Sequence, residues 1–562
     1  FLMQKDKGNN KMRENREKRE KREKTVQWIF HNAKKSVPAI IILAAVGAAM
    51  SYLSVRFAFV SRSVMDIAVG SADGSLAQAV ALLFVLIALQ MAAHIVYTLV
   101  EVRSLCTLSN NIQSSVFRTV LESDYLSLSA VHSGETVNML SSDVSVITSG
   151  VLGTVPKIFT VMSQLIFSLW ALFTLDSHLA LICVVAFPLV TVAARLYGRR
   201  MKMLHKQCRA SDGKIKSYMQ EMIQNVLAVK AFVREASCAA RLGGMQAENR
   251  RLNVRRGIIS ILSNLMFFFI MTVGYYLALA WCAYKISIGI MTVGTLTAVL
   301  QLVGQLQEPF GDFSSLIPGW YATLASAERL IALEDTTHDP AVRTVSGFEG
   351  IDAENVSFAY GGEEILHSAS LSVNKGEIIG ISGISGIGKS TFMQLVMGIL
   401  HPESGEISVR CAEGRIVSDG SLRTLFAYVP QGNMILSGTV RDNIAFFAED
   451  VPDEMIISSA KAACIFDYIS SLPDGFDTML GEGGAGLSEG QIQRLAVARA
   501  LCTARPVILL DEATSALDAE TEKELIANIK KMSGKTCIFI THKTAALEIC
   551  DRVISIKNGS II

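Results

Sequence analysis

The run GISGIGKST, Gly383 to Thr391, is glycine-rich and closes on a lysine and two hydroxyls. Gly383, Gly388, Lys389 and Ser390 fit the pattern G-x-x-x-x-G-K-[ST], which occurs once in the chain. That pattern serves phosphates. Its glycines let backbone N–H groups wrap the phosphate oxygens, Lys389 reaches the β and γ phosphates, and the Ser390 hydroxyl is placed to ligate Mg²⁺. Gly383, Ser385, Gly386, Gly388, Lys389, Ser390 and Thr391 together form a candidate nucleotide cradle. A second stretch, VILLDEATSALD, supplies acids. Val507 to Leu510 reads as a strand buried on both faces, and it ends in Asp511 and Glu512. Ligands of α/β sheets sit at the carboxyl ends of strands, so both acids are expected beside the phosphates. Alternation along a strand would turn them apart, Asp511 toward Mg²⁺ and Glu512 toward an attacking water. In LSEGQIQRLAVARAL, Ser488 and Gly490 open a predicted helix whose N–H groups are a second phosphate device.

These residues need a scaffold, and the chain offers two kinds. Half of its 562 residues are apolar. From Val37 to about Trp320 there are six stretches long enough to cross a bilayer, near 37–60, 76–100, 151–175, 178–196, 258–282 and 290–318. After Glu334 short apolar runs alternate with glycine turns and helical patterns, the signature of a parallel sheet. The expected fold is a six-crossing α-helical membrane domain followed by an α/β P-loop ATPase domain. The expected boundaries are 1–36 for a charged N-terminal cytoplasmic segment, 37–334 for the membrane domain and 335–562 for the nucleotide-binding domain.

Charge sets the orientation. Arg195 to Arg256 is crowded with Lys and Arg, whereas Ser61–Ser75, Asp176–His178 and Ala283–Gly289 carry few basic residues. The basic segment is therefore read as cytoplasmic. An even number of crossings puts both termini on the same side. Leu105, Leu108, Ile112, Val116 and Val120 recur at helical spacing, so the second crossing is expected to continue into the cytoplasm. The alternating charges of Lys11–Thr25 read as a solvated helix. A net charge of +1 gives no electrostatic ground for a nucleic-acid partner. The ten cysteines show no metal-ligand spacing and read as reduced thiols. No cleavable signal peptide is expected, because a long charged stretch precedes the first apolar run.

With these motifs in order, the chain resembles an ATP-binding cassette transporter of the exporter type, a half-transporter with one membrane and one nucleotide-binding domain. The resemblance implies ATP and Mg²⁺ as cofactors. It implies that Tyr360 in FAY stacks on adenine, and that Gln431 in YVPQG senses Mg²⁺, water and the membrane domain. It assigns His542 in ITHK to the γ phosphate, Asp518 in SALD to the link between two sites, and Leu487–Gln491 to the family signature. Glu512, His542 and Gln431 are then the catalytic set, and Ser390, Gln431 and Asp511 the Mg²⁺ set. Ser488, Gly490 and Gln491 serve the ATP of a partner chain packed head to tail, which explains why one chain carries two phosphate devices. Glu489 stands where the signature more commonly has glycine. TMLGEGG, NVLAVKAFVREA and SGETVNMLSSDV resemble exporter stretches near the coupling helices. Family members usually continue with a short tail beyond a point such as Ile562, so further C-terminal residues are expected.

The resemblance implies ATP-driven export of an amphipathic drug, lipid or peptide across a bacterial plasma membrane by a dimer, a homodimer ahead of a heterodimer. A specialised peptide exporter, an uptake system on the exporter fold, the active half of a heterodimer and an ATP-gated channel are the alternatives. In the sixth crossing Gln301, Gln305, Glu308 and Asp312 fall on one helical face. Gln301 and Gln305 are expected to line a transport cavity, with Glu308 and Asp312 nearer its cytoplasmic mouth.

Overall fold

The computed structural model describes residues 20–129, 133–384, 386–432, 434–448, 450–484, 486–532 and 534–562. Most of the charged N-terminal run and Ser385 of the cradle lie outside the described residues. The chain divides into two units, Phe1–Phe117 with Gly134–Glu334, and Arg118–Ser133 with Asp335–Ile562.

In the first unit the six apolar stretches fall on helices α1 (Val37–Ala68), α2 (Leu76–Glu122), α3 (Val155–Leu175), α4 (Ser177–Gln224), α5 (Glu235–Ser287) and α6 (Val293–Glu334). Among the described residues, four helical segments are long and apolar enough to cross a membrane: Glu20–Ala68, Leu76–Glu122, Gly134–Leu175 and Phe268–Ser287. Phe84 and Leu99 of the second segment and Phe268 and Phe269 of the fourth are exposed. Inside, Val55 of α1, Leu172 of α3, Leu179 of α4, Cys282 of α5 and Leu302 of α6 share one apolar cluster. Gly47 lets α1 press on α3, since a Cβ there would lie 2.0 Å from Thr160 Oγ1.

The short connections are held by acids. Asp176, which alone separates α3 from α4, accepts the N–H groups of His178 and Leu179 at 3.0 and 3.3 Å. Its other oxygen accepts from Trp281 Nε1 at 3.1 Å and Lys285 Nζ at 2.6 Å, tying α5 to the same turn. Asp66 of α1 likewise accepts the Gly294 N–H at the start of α6, at 3.0 Å. Away from these turns α2 continues past the apolar stretch with Leu108, Ile112, Val116 and Val120 buried. Asp143, paired with Arg329 and accepting from Ser326 Oγ at 2.9 Å, holds α6 where it extends in the same direction.

The second unit is built on two sheets. An antiparallel one has the order β2-β1-β4-β5, from β1 (Gly350–Tyr360), β2 (Glu363–Asn374), β4 (Ser404–Cys411) and β5 (Gly414–Val417). The other has the order β12-β11-β3-β10-β9-β6, from β3 (Ile378–Ser382), β6 (Phe426–Val429), β9 (Val507–Asp511), β10 (Thr536–Ile540), β11 (Arg552–Lys557) and β12 (Ser560–Ile561). A two-residue ladder, β7 (Gly438–Thr439) with β8 (Met479–Leu480), stands apart. β3, β10 and β9 are parallel neighbours and fully apolar along their middles, so helices must cover both faces. The residues 118–133 join this unit. Asp124 N–H donates to Thr337 O at 2.8 Å and Asp339 N–H to Glu122 O at 3.0 Å, so the end of α2 pairs with the strand-like entry to the sheets.

Candidate functional site

Register explains how distant residues meet. Ile381 of β3 stands beside Ile540 of β10, and Ile540 beside Asp511 of β9. The residues that follow each strand, Gly383, His542 and Glu512, therefore emerge along one edge.

At that edge the chain leaves β3 and enters helix α7 (Lys389–Val396) through Gly388, whose φ is 99°. A Cβ there would lie 2.7 Å from Ile365 Cγ2, so both the turn and the close approach require glycine. Gly386 also has positive φ, and Thr391 is buried in the first turn of α7. Lys389 Nζ curls back to donate to Gly383 O at 2.8 Å and Ile384 O at 3.0 Å, and stands 3.4 Å from His542 Nε2. Burial holds its pKa below the usual lysine value, with Glu512 and Asp511 acting in the opposite sense.

Asp511 is buried and accepts the Tyr428 hydroxyl at 3.2 Å. Burial pushes its pKa up, with the Ser390 and Tyr428 hydroxyls working the other way. Its Oδ1 is buried with no hydrogen-bond partner. An orphaned carboxylate oxygen facing a serine hydroxyl is a poor structural element and a good hard-cation ligand, so these residues fit Mg²⁺.

Glu512 diverges from Asp511 for a reason other than strand alternation. The strand has ended, and Glu512 adopts φ 50° with its N–H donating to Ile540 O at 3.2 Å. A left-handed glutamate is uncommon and costs of order 1–3 kcal/mol, the kind of strain found where a side chain must be aimed. Its carboxylate accepts from Gln431 Nε2 at 2.8 Å and lies 3.3 Å from His542 Nε2. Glu512, His542, Gln431 and Lys389 are thus brought together beside Asp511.

The signature residues form a separate group. Helix α8 (Glu489–Cys502) begins at Ser488, whose hydroxyl accepts the Gln491 N–H at 3.3 Å while Gln491 Oε1 accepts the Ser488 N–H at 2.7 Å. This capping box engages two N–H groups expected to be free, leaving those of Glu489 and Gly490 to head the helix. Among the described residues no hydrogen bond joins 488–491 to the cradle of the same chain. Tyr360 ends β1, edge-on to Phe358 at 4.8 Å and half exposed. Asp518 caps helix α9 (Ala519–Lys531), accepting from Glu520 and Thr521 N–H at 3.1 and 2.9 Å.

Sequence reading passed over five positioning residues. Tyr428 supports Asp511. Gln493 of α8 donates to Ser515 Oγ and accepts the Ala516 N–H, both at 2.9 Å, coupling the signature helix to the turn after Glu512. Lys543, next to His542, donates to Thr514 O at 3.0 Å and Leu517 O at 2.5 Å and faces the buried Glu522 at 3.7 Å. Asn443 and Arg499 hold the segment after Gln431. Tyr428 in YVPQG, Gln493 and Arg499 in LSEGQIQRLAVARAL and Lys543 in ITHK all lie within stretches already singled out, whereas Asn443 does not.

Both halves of the chain are similar to known proteins. Residues 37–310 match the model of the ABC transporter transmembrane region, and 366–515 match the ABC transporter model. An ATP-dependent lipid A-core flippase of Desulfotalea psychrophila is 32% identical over 453 residues, covering 78% of this chain and 78% of the relative. Another of that description, from Syntrophus aciditrophicus, is 30% identical over 435 residues, covering 76% and 72%. A solved structure of a bacterial Atm1-family ABC exporter with ATP bound superimposes with a TM-score of 0.77 at 25% identity, over 94% of each chain. The fold and site define an ATP-hydrolysing membrane transporter. The chain belongs to the ABC transporter family and has the exporter fold.

Proposed function

We propose that the chain is a half-transporter whose dimer exports an amphipathic substrate across a bacterial plasma membrane by alternating access. Two ATP molecules lie at a head-to-tail interface, each between the cradle of one chain and Ser488, Gly490 and Gln491 of the other. Lys389 leaves the Gly383 and Ile384 carbonyls to neutralise the β and γ phosphates, and Tyr360 stacks on the adenine. Ser390, Asp511 and Gln431 hold Mg²⁺, which supplies charge neutralisation at the phosphates. Glu512 orients the attacking water and takes its proton, with His542 stabilising the γ phosphate. ATP binding favours the closed dimer and hydrolysis releases it, so the nucleotide shifts a conformational equilibrium. Export is favoured over an ATP-gated channel because the hydrolytic groups are intact.

The carrying observation is the aimed Glu512, held by Gln431 and His542 at the mouth of the cradle. Glu512→Gln keeps the shape and loses the base. It is expected to bind Mg·ATP, to hydrolyse it at least a hundredfold more slowly, at the low end of what a general base contributes, and to accumulate the closed dimer. Parent-like turnover in reconstituted protein would rule out Glu512 as the base.

A further inference from the structure

A cavity of about 510 Å³ in the helical unit lies between α1, α2, α3 and α6, lined in part by Ser54, Gln90, Met91, His94, Gln164 and Glu308. Each of these residues stands roughly 11–18 residues from its helix end at the short connections, or about 17–27 Å at the rise of an α-helix. For a bilayer core of about 30 Å that is membrane depth. The cavity is thus amphipathic: Met91 gives an apolar wall, while Gln90, His94, Gln164 and Glu308 give polar contacts.

Of the helix face singled out in the sequence, Glu308 reaches this cavity. Gln305 instead bridges helices, donating to Ser54 O at 3.1 Å and accepting from Ser168 Oγ at 3.2 Å. Gln301 is not among the lining residues either, and its Oε1 is buried without a partner. Among the described residues the Glu308 carboxylate accepts one hydrogen bond, from Gln164 Nε2 at 3.0 Å. Asp312, one turn on, pairs with Lys157 at 2.7 Å. Among the described residues no Lys or Arg forms a salt bridge with Glu308. Arg56 stands about 200° around α1 from Ser54 and so faces away. A carboxylate at membrane depth is costly unless a cavity or a counter-charge serves it.

We infer that this cavity is the cation-selective part of the substrate path, taking an amphipathic organic cation whose charge is read by Glu308 and whose apolar body lies against Met91. An anionic amphiphile of the same shape meets like charge there. The inference rests on the export reading for its purpose, but binding is separable from transport.

The test uses full-length dimer in detergent without nucleotide, titrated calorimetrically with tetraphenylphosphonium and with its anionic counterpart tetraphenylborate, empty micelles serving as blank. The cation should bind at least tenfold more tightly than the anion, and Glu308→Gln should weaken the cation about tenfold or more, the value of one charge-assisted contact. Glu308→Asp should recover part of that loss, and Met91→Trp, which fills the cavity without touching the charge, should weaken cation binding as well. Retained Mg·ATP binding by each variant shows that it is folded. Equal affinity for the two ions, or no change in Glu308→Gln, overturns the assignment. So does conversion of any of the three variants to monomer without loss of charge selectivity, since the cavity is then a subunit contact. Charge-selective binding without ATP-driven transport in vesicles leaves the cation site standing and refutes the export reading instead.

Discussion

Asn443 is the residue whose loss should most clearly separate positioning from chemistry. It is fully buried. Its Oδ1 accepts the Leu436 N–H at 3.0 Å and Arg499 Nη2 at 2.9 Å, and its Nδ2 donates to Leu436 O at 2.8 Å and Thr439 O at 3.1 Å. Arg499 also donates to Met434 O at 2.6 Å, so the two side chains fasten the segment that follows Gln431 to helix α8. Burial depresses the Arg499 pKa, which makes its remaining contacts more valuable. Asn443→Ala removes four hydrogen bonds of about 1 kcal/mol net each, and strands a buried N–H at a further 1–3 kcal/mol, with relaxation returning part of this. A local cost of about 3–5 kcal/mol is expected. At about 1.4 kcal/mol per tenfold, the amide of Leu436 should exchange with solvent at least a hundredfold faster, read by hydrogen exchange on the full chain. ATP hydrolysis should fall about tenfold, because Gln431 then holds Glu512 less firmly. Asn443→Asp keeps the acceptors and loses the donors, and should lie between. Exchange at Leu436 within about threefold of the parent would refute the view that Asn443 anchors this segment.

Ser488→Arg should abolish hydrolysis at the partner's site. In mixed dimers with Lys389→Ala, placing both changes on one chain should stop both sites, whereas a surviving site would contradict head-to-tail assembly. Asp511→Asn should remove a charge that the fold itself disfavours. Because burial raises the Asp511 pKa above its ordinary value of 3.8, the parent is penalised once pH rises past about 3.8. The nucleotide-free variant should therefore melt higher than the parent at pH 7, by an amount that fades as pH falls toward 4, while losing stabilisation by Mg·ATP. A lower melting temperature without nucleotide would show that Asp511 is structural.

The parts legible in the sequence were those fixed by local pattern. Runs of about 20 apolar residues marked the crossings, and the glycines of 383–388 marked a loop that only they can form, as the crowding around Gly388 shows. The apolar run before Asp511 marked a strand buried on both faces. The capping box at Ser488 was equally local, since Ser followed three residues later by Gln is its sequence form, yet the phosphate reading drew attention away from it. What stayed hidden was set by neighbours. Strand alternation gave Glu512 a plausible direction but could not anticipate that the strand stops one residue earlier. Likewise the helical period placed Gln305 and Glu308 on one face, but not which helices cover each turn of it. Gln305 is spent on bridging α1 and α3, whereas Glu308, less than one turn away, meets Gln164 at the edge of open space. A periodic pattern states which side chains share a face. Whether that face is glue or binding surface depends on the volume left by the opposing helices, and there the small residues of α1 matter as much as the polar residues of α6: Gly47 draws α1 onto α3 just below the point where the cavity opens beside Ser51 and Ser54.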